Sequence, residues 1–200
     1  MSIFIAGEGP NELGGWAKEE VWRESPPAVG VIEALLRRIN QDDWQIVDGI
    51  KWKDIRHYVA NTSGDADTRN VKKAALIAME NGCGVLAFLR DQDGYPHREA
   101  DIETGIAEAA EISDCPKIVG GVAIKRLESW IVALSGTHRS EQMGKQRVRE
   151  RLADLGIPQK NTAAMVELVE DAEMEHIPND AYSLRRWLGR AMEALSVDSE

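Results

Sequence analysis

Four short apolar runs, SIFIA (residues 2–6), QIVDGI (45–50), GVLAFLR (84–90) and KIVGGVAI (117–124), are spaced far apart, and segments of helical length separate them. Strands that alternate with helices form a mainly parallel sheet covered on both faces. The spacing therefore predicts an α/β fold, Rossmann-like, with a four-stranded central sheet flanked by helices.

The intervening segments carry the periodicity this needs. PPAVGVIEALLRRIN puts Val29, Ile32, Leu35, Leu36 and Ile39 on one face, with Pro27 near the first turn. DADTRNVKKAALIAMEN does the same with Val71, Ala74, Ala75, Ala78 and Met79, and Asn81-Gly82 is a stop signal. HREADIETGIAEAAEIS turns Ile102, Ile106 and Ala109 or Ala110 inward. After residue 125 the pattern is helical throughout: LESWIVALSG, SEQMGKQRVRERLADLG, NTAAMVELVEDAE and AYSLRRWLGRAMEAL. The expected organisation is an α/β domain over residues 1–135, with residues 136–200 as a helical C-terminal extension packed on it.

Composition narrows the function. A formal charge of −10 over 200 residues leaves no average positive field to hold nucleic acid, so either a metal ion, a local basic patch or a partner supplies the grip, or nucleic acid is not the substrate. No apolar run approaches the roughly 20 residues of a membrane span, and no basic region precedes the first apolar stretch, so a cytoplasmic protein without membrane contact is expected. Cys83 and Cys115 stand alone. They read as reduced thiols and argue against structural zinc. His97, His138 and His176 are too dispersed for a ligand pattern.

In open parallel sheets, sites form beyond the carboxyl ends of the strands. Here those ends collect acids. The first strand runs into Gly7-Glu8-Gly9 and then Glu12, like a phosphate-cradling loop that has acquired the wrong charge. The third ends in RDQDG, giving Asp91 and Asp93, and the last runs into AIKRLESW, giving Glu128 beside Lys125 and Arg126. With 34 acids in the chain, an acid-x-acid pair arises by chance about six times, so position carries more weight than pattern. Two carboxylates 4 Å apart repel by roughly 4 kcal/mol at an effective dielectric of 20. Several together must protonate, separate or bind a cation. Oxygen ligands without nearby His or Cys favour Mg²⁺ or Mn²⁺.

GEGPNE after a first strand, FLRDQDG after a later one and KRLESW opening a helix together resemble a TOPRIM domain. The likeness is strongest to the OLD-type nuclease version and to small stand-alone TOPRIM-like proteins of bacterial defence loci. The resemblance implies that Glu8, Asp91 and Asp93 coordinate Mg²⁺ or Mn²⁺. Glu12 and Glu128 would complete a second site, or one of them would act as a base. Lys125 or Arg126 would stabilise developing charge, unless a salt bridge to Glu128 occupies them. The SLRRWLGRAMEAL ending is similar to a Ser-Phe-Arg-Arg pattern of the stand-alone proteins, with Leu184 in place of the aromatic residue. The implied activity is metal-dependent cleavage of nucleic-acid phosphodiester bonds, with an ATPase or other defence-system chain as a possible partner.

Two alternatives stand beside it. An apolar run followed by D-x-D-G also resembles the haloacid dehalogenase phosphatases, with Asp91 as nucleophile and Asp93 as acid/base, but that motif belongs on a domain's first strand and leaves Glu8 without a role. A TOPRIM-like subunit that binds metal or a partner without turnover is the other. Lys145, Arg147, Arg149 and Arg151 spread around a helix and read as a solvated face, as do Arg185, Arg186 and Arg190. Lys51, Lys53, Arg56 and His57 form a small basic group beyond the second strand. Trp16, Trp22, Trp44, Trp52, Trp130 and Trp187 read as packing anchors.

Overall fold

The computed structural model describes residues 1–18, 28–41, 43–158 and 161–196; Trp22 and Pro27 lie outside them. Strands β1 (Ser2–Gly7), β2 (Gln45–Lys51), β3 (Val85–Phe88) and β5 (Lys117–Val119) form one sheet in the order β2-β1-β3-β5, and every pairing is parallel. A second, two-stranded parallel pair joins β4 (Arg90–Asp91) to β6 (Val122–Ala123). The chain is an α/β protein with a Rossmann-like, all-parallel central sheet flanked by helices.

The two later runs, 84–90 and 117–124, which each read as a single strand, are thus two short ones each in the structure. The interruption has a packing cause. A Cβ on Gly120 would collide with the Phe88 ring, so the glycine lets that ring lie under the strand. The ladder resumes beyond the break, with the Arg90 N–H donating to the Gly121 carbonyl at 3.1 Å.

Strand alternation sends successive side chains to opposite faces, and the two cores follow it. Ile3 and Ile5 of β1 join one core with α2 (Val31–Ile39), α6 (Leu127–Leu134), α8 (Thr162–Asp171) and α9 (Tyr182–Leu195). Phe4 and Ala6 join the other with Trp52 and Ile55 of α3 (Trp52–Ile55), α4 (Ala66–Glu80) and α5 (Arg98–Ala110). The inward faces expected of α2, α4 and α5 bury Ile32, Leu35, Leu36, Val71, Ala74, Ala75, Ala78, Ile102 and Ala109.

The helices beyond residue 135 share the first core. Trp187 is fully buried, its ring centroid 6.1 Å from that of Trp130, and its indole N–H donates to the Phe88 carbonyl at 2.9 Å. Glu141, also buried, accepts from the Ser183 N–H at 2.9 Å and its hydroxyl at 2.6 Å, satisfying donors at the start of α9. The arginines of α9 lie at the surface, as expected, but each holds a partner. Arg185 donates to the Ile177 carbonyl, Arg186 pairs with Glu99, and Arg190 binds both Glu103 and the Gly120 carbonyl. Their chemistry ties α9 to α5 and to the strand break. Among the described residues no helix is long and apolar enough to cross a membrane.

Candidate metal centre

The order β2-β1-β3-β5 makes the chain leave β1 toward one edge and β3 toward the other. Ligand crevices in such sheets form where the order reverses, beyond the strand ends, and here that point lies between β1 and β3. Glu8 follows β1 directly. Arg90 and Asp91 follow β3 after a single intervening leucine.

Glu12 comes from α1 (Pro10–Leu13), a single turn that doubles back over the end of β1. A Cβ on Gly7 would sit 2.6 Å from the Glu12 Cβ, so the glycine permits that return. Gly14, at φ +56°, and Gly30 let the end of α1 pack backbone to backbone against the start of α2. Glu12 is buried, and its Oε2 accepts from the Gly9 N–H at 2.8 Å, half of a capping box. Burial pushes its carboxyl up to about 7; nearby backbone N–H groups oppose that, and Glu8 and Glu128 add to it by charge repulsion.

Asp91 caps a helix that its own strand does not lead into. Its Oδ1 accepts from the N–H of Leu127, first residue of α6, at 2.6 Å, where the helix dipole favours a carboxylate. Burial raises Asp91 most, then the charges of Glu8 and Glu12, with Glu128 adding and the Leu127 N–H opposing, to about 8. The Asp91 N–H donates to Glu8 Oε1 at 3.1 Å. Glu8, Glu12, Asp91 and Glu128 therefore share one electrostatic neighbourhood.

Asp93 departs from the pattern expected of a ligand pair. Spacing of two puts side chains on the same side only while a strand continues, and β4 ends at Asp91. Asp93 and Gly94 both adopt positive φ, 49° and 76°, and turn the chain away. The Asp93 carboxylate lies 3.6 Å from Arg98, half exposed, and is absent from the charges acting on Asp91 and Glu12.

Lys125, at φ +70°, is exposed and its ammonium has no partner among the described residues. Neither it nor Arg126 forms a salt bridge with Glu128 among those residues. Of the basic group beyond β2, Lys51 ends the strand opposite Gly7, and Arg56 donates to His57 at 3.2 Å.

Three residues of the site have no signature in the sequence reading. The Arg90 guanidinium binds Glu8, lies 3.6 Å from Asp67, and sits 5.6 Å from the Trp52 ring centroid. Asp67 also accepts from Trp52 at 3.0 Å and from Arg98 at 2.9 Å. Arg98 donates to the Asp91 and Gln92 carbonyls at 2.6 and 3.1 Å, which fixes the loop bearing the acids. Arg90 adjoins Asp91 in sequence, but nothing in its surroundings marks Asp67, 23 positions earlier, as its counter-charge.

The donor chemistry suits a hard divalent cation: carboxylate oxygens, some already oriented by N–H donors, with Glu12 and Asp91 raised by burial first and then by repulsion that a cation would relieve. Among the described residues, no group of three or more His, Cys, Asp or Glu side chains stands ready-made around one ion position. Gathering these carboxylates around an ion would take side-chain rotation about the fixed backbone positions. Comparison of the chain with protein-family models, with curated proteins and with solved structures returns no match.

Proposed function

We propose that the protein is a divalent-metal-dependent nuclease of the TOPRIM kind that cleaves nucleic-acid phosphodiester bonds. The observation that carries this reading is the charge repulsion that Glu8 and Glu128 exert on Glu12, and that all three exert on Asp91, with Glu12 and Asp91 held well above the usual carboxylate range by burial first and by that repulsion second. Structural acids have no reason to collect where they cost stability. Substrate chemistry gives one.

Glu8, Glu12, Asp91 and Glu128 would hold Mg²⁺ or Mn²⁺. The ion would supply Lewis-acid polarisation of the phosphoryl oxygens and a water that is a competent nucleophile at neutral pH. The chain does the rest. The Leu127 N–H and the Gly9 N–H keep Asp91 and Glu12 oriented, and Arg90 holds Glu8 and limits repulsion within the cluster. Lys125, exposed and without a side-chain partner among the described residues, would balance charge that builds on the phosphate. Asp93 has no part in ligation on this reading. The haloacid dehalogenase alternative requires Asp93 as an acid/base beside the nucleophile, and its position against Arg98 does not favour that role.

One observation favours the non-catalytic alternative: the Arg90 guanidinium already balances the Glu8 carboxylate. Incubation with plasmid, single-stranded DNA and RNA separates the two. Cleavage that depends on Mg²⁺ or Mn²⁺, stops with chelator and is lost in Glu12→Gln is expected. No cleavage of any substrate with either metal, with or without an ATPase partner, would overturn the nuclease reading in favour of a binding subunit.

A further inference from the structure

Beside Glu128 the surface opens into a cavity of about 210 Å³, lined by Arg126, Glu128, Lys145 and Arg149 over the buried side chains of Val148 and Leu152. Lys145 and Arg149 belong to α7 (Lys145–Asp154) and Arg126 immediately precedes α6. None of the three cationic side chains has a hydrogen-bond or ion-pair partner among the described residues. Elsewhere in the protein, arginines such as Arg37, Arg186 and Arg190 each hold a carboxylate.

The placement of Lys145 and Arg149 is unfavourable twice over. Lys145 and Arg149 are one turn apart, a like-charge pair that weakens a helix. Lys145 opens α7, whose first turn holds no acid, so a cation sits at the positive end of the helix dipole. Arg126 adjoins the start of α6, where Asp91 and Glu128 already supply negative charge. An anion in the cavity relieves both costs at α7 at once. Helical periodicity puts Lys145 and Arg149 on one face of α7 and Arg147 and Arg151 on the other, and only the fold brings the first face to one opening with Arg126.

Size and position define the anion. The volume is below the roughly 300–1,000 Å³ of pockets that engulf a drug-sized ligand, so it suits one phosphate with its adjoining sugar. Glu128 belongs both to the cavity and to the acid cluster, since its charge acts on Glu12 and Asp91. A phosphate held here lies next to the one at the crevice.

We propose that this cavity binds a backbone phosphate of a polynucleotide strand adjacent to the linkage that is cut, which gives an acidic chain its local hold on nucleic acid. The inference rests on the nuclease reading for its substrate but is testable without turnover.

The experiment measures fluorescence anisotropy of a short labelled single strand in chelator over a range of salt, with one DNA arm and one RNA arm. It compares the wild type with the double variant Lys145→Gln/Arg149→Gln and with Asp91→Asn. The double variant is expected to bind about tenfold more weakly, with a salt slope shallower by about 1, as for a lost phosphate contact. Arg149→Lys, which keeps the charge, retains most of the affinity and guards against a folding artefact. Asp91→Asn binds at least as well as the wild type. Weakening in one arm alone supports the cavity and identifies the sugar. Weakening in a protein that cleaves nothing keeps the cavity and removes the nuclease reading. Unchanged affinity and slope in the double variant, or no binding of either strand by the wild type, would overturn the inference.

Discussion

Asp91→Asn is expected to abolish metal-dependent cleavage and, at pH 8 in chelator, to make the protein more stable than the wild type. The activity loss should exceed about a hundredfold, because even partners behind metal ligands cost 10–100-fold when removed. The stability gain follows from the raised pKa. Free Asp91 titrates at 3.8 and the folded side chain near 8. Between those values the folded state carries a proton that the unfolded state has lost. The associated stabilisation is therefore complete below about pH 4 and disappears as pH rises through 8. Glu12, moved from 4.5 to about 7, acts in the same direction over a narrower window. Asparagine keeps an oxygen for the Leu127 N–H and carries no charge to bury. A gain of about 2 kcal/mol, or roughly 4–8 °C in melting temperature for a chain of this size, is expected. Thermal melts at pH 5.5 and 8 check it: the wild type should melt higher at the acidic value, the variant should narrow that difference, and Mg²⁺ should stabilise the wild type alone. A less stable variant at pH 8 would mean that Asp91 is an ordinary helix cap.

Arg90→Ala is expected to destabilise the metal-free protein by about 3 kcal/mol. Arg90 lies between Glu8 and Asp67, all three largely shielded from solvent, and removing one member of such a group leaves uncompensated charge, with typical costs of 3–5 kcal/mol when fully buried. The value belongs near the lower bound because Asp67 retains Trp52 and Arg98. Glu8 retains only the Asp91 N–H among its hydrogen bonds in the described residues. Saturating Mg²⁺ or Mn²⁺ should recover part of the loss, since the ion would replace the charge that Arg90 contributed. Urea unfolding with and without metal measures both quantities. The same loss with and without metal would show that the guanidinium serves packing on Trp52 rather than charge balance in the cluster.

The fold was legible wherever a period governs it. Ile3 and Ile5 against Phe4 and Ala6 separate into two cores because a strand alternates, and Leu35 with Ile32 follows from helical spacing. Positions at strand ends were legible for the same reason, which is how Glu8, Asp91 and Glu128 stand out in a chain with 34 acids. What escaped the sequence was direction and partnership. Asp91 and Asp93 look equivalent in RDQDG, and only the left-handed turn at Asp93-Gly94 separates them. Arg186 and Arg190 look solvated on an amphipathic helix until α5 brings Glu99 and Glu103 to meet them. Arg90, Asp67 and Arg98 act through contacts made across the fold, and a long side chain's choice of partner has no local pattern. The breaks after Phe88 and Val119 belong with these, because they depend on one ring facing one glycine in a neighbouring strand.

The central claim is that acids from the β1 loop, α1, β4 and α6 serve one divalent ion. A crystal structure of the protein soaked in Mn²⁺, with anomalous differences collected, examines this without knowledge of the substrate. An anomalous peak ligated by oxygens of Asp91, Glu12 and at least one of Glu8 and Glu128 is the expected result. No peak at that position under saturating Mn²⁺, with the Glu8–Arg90 pair intact, would contradict the account.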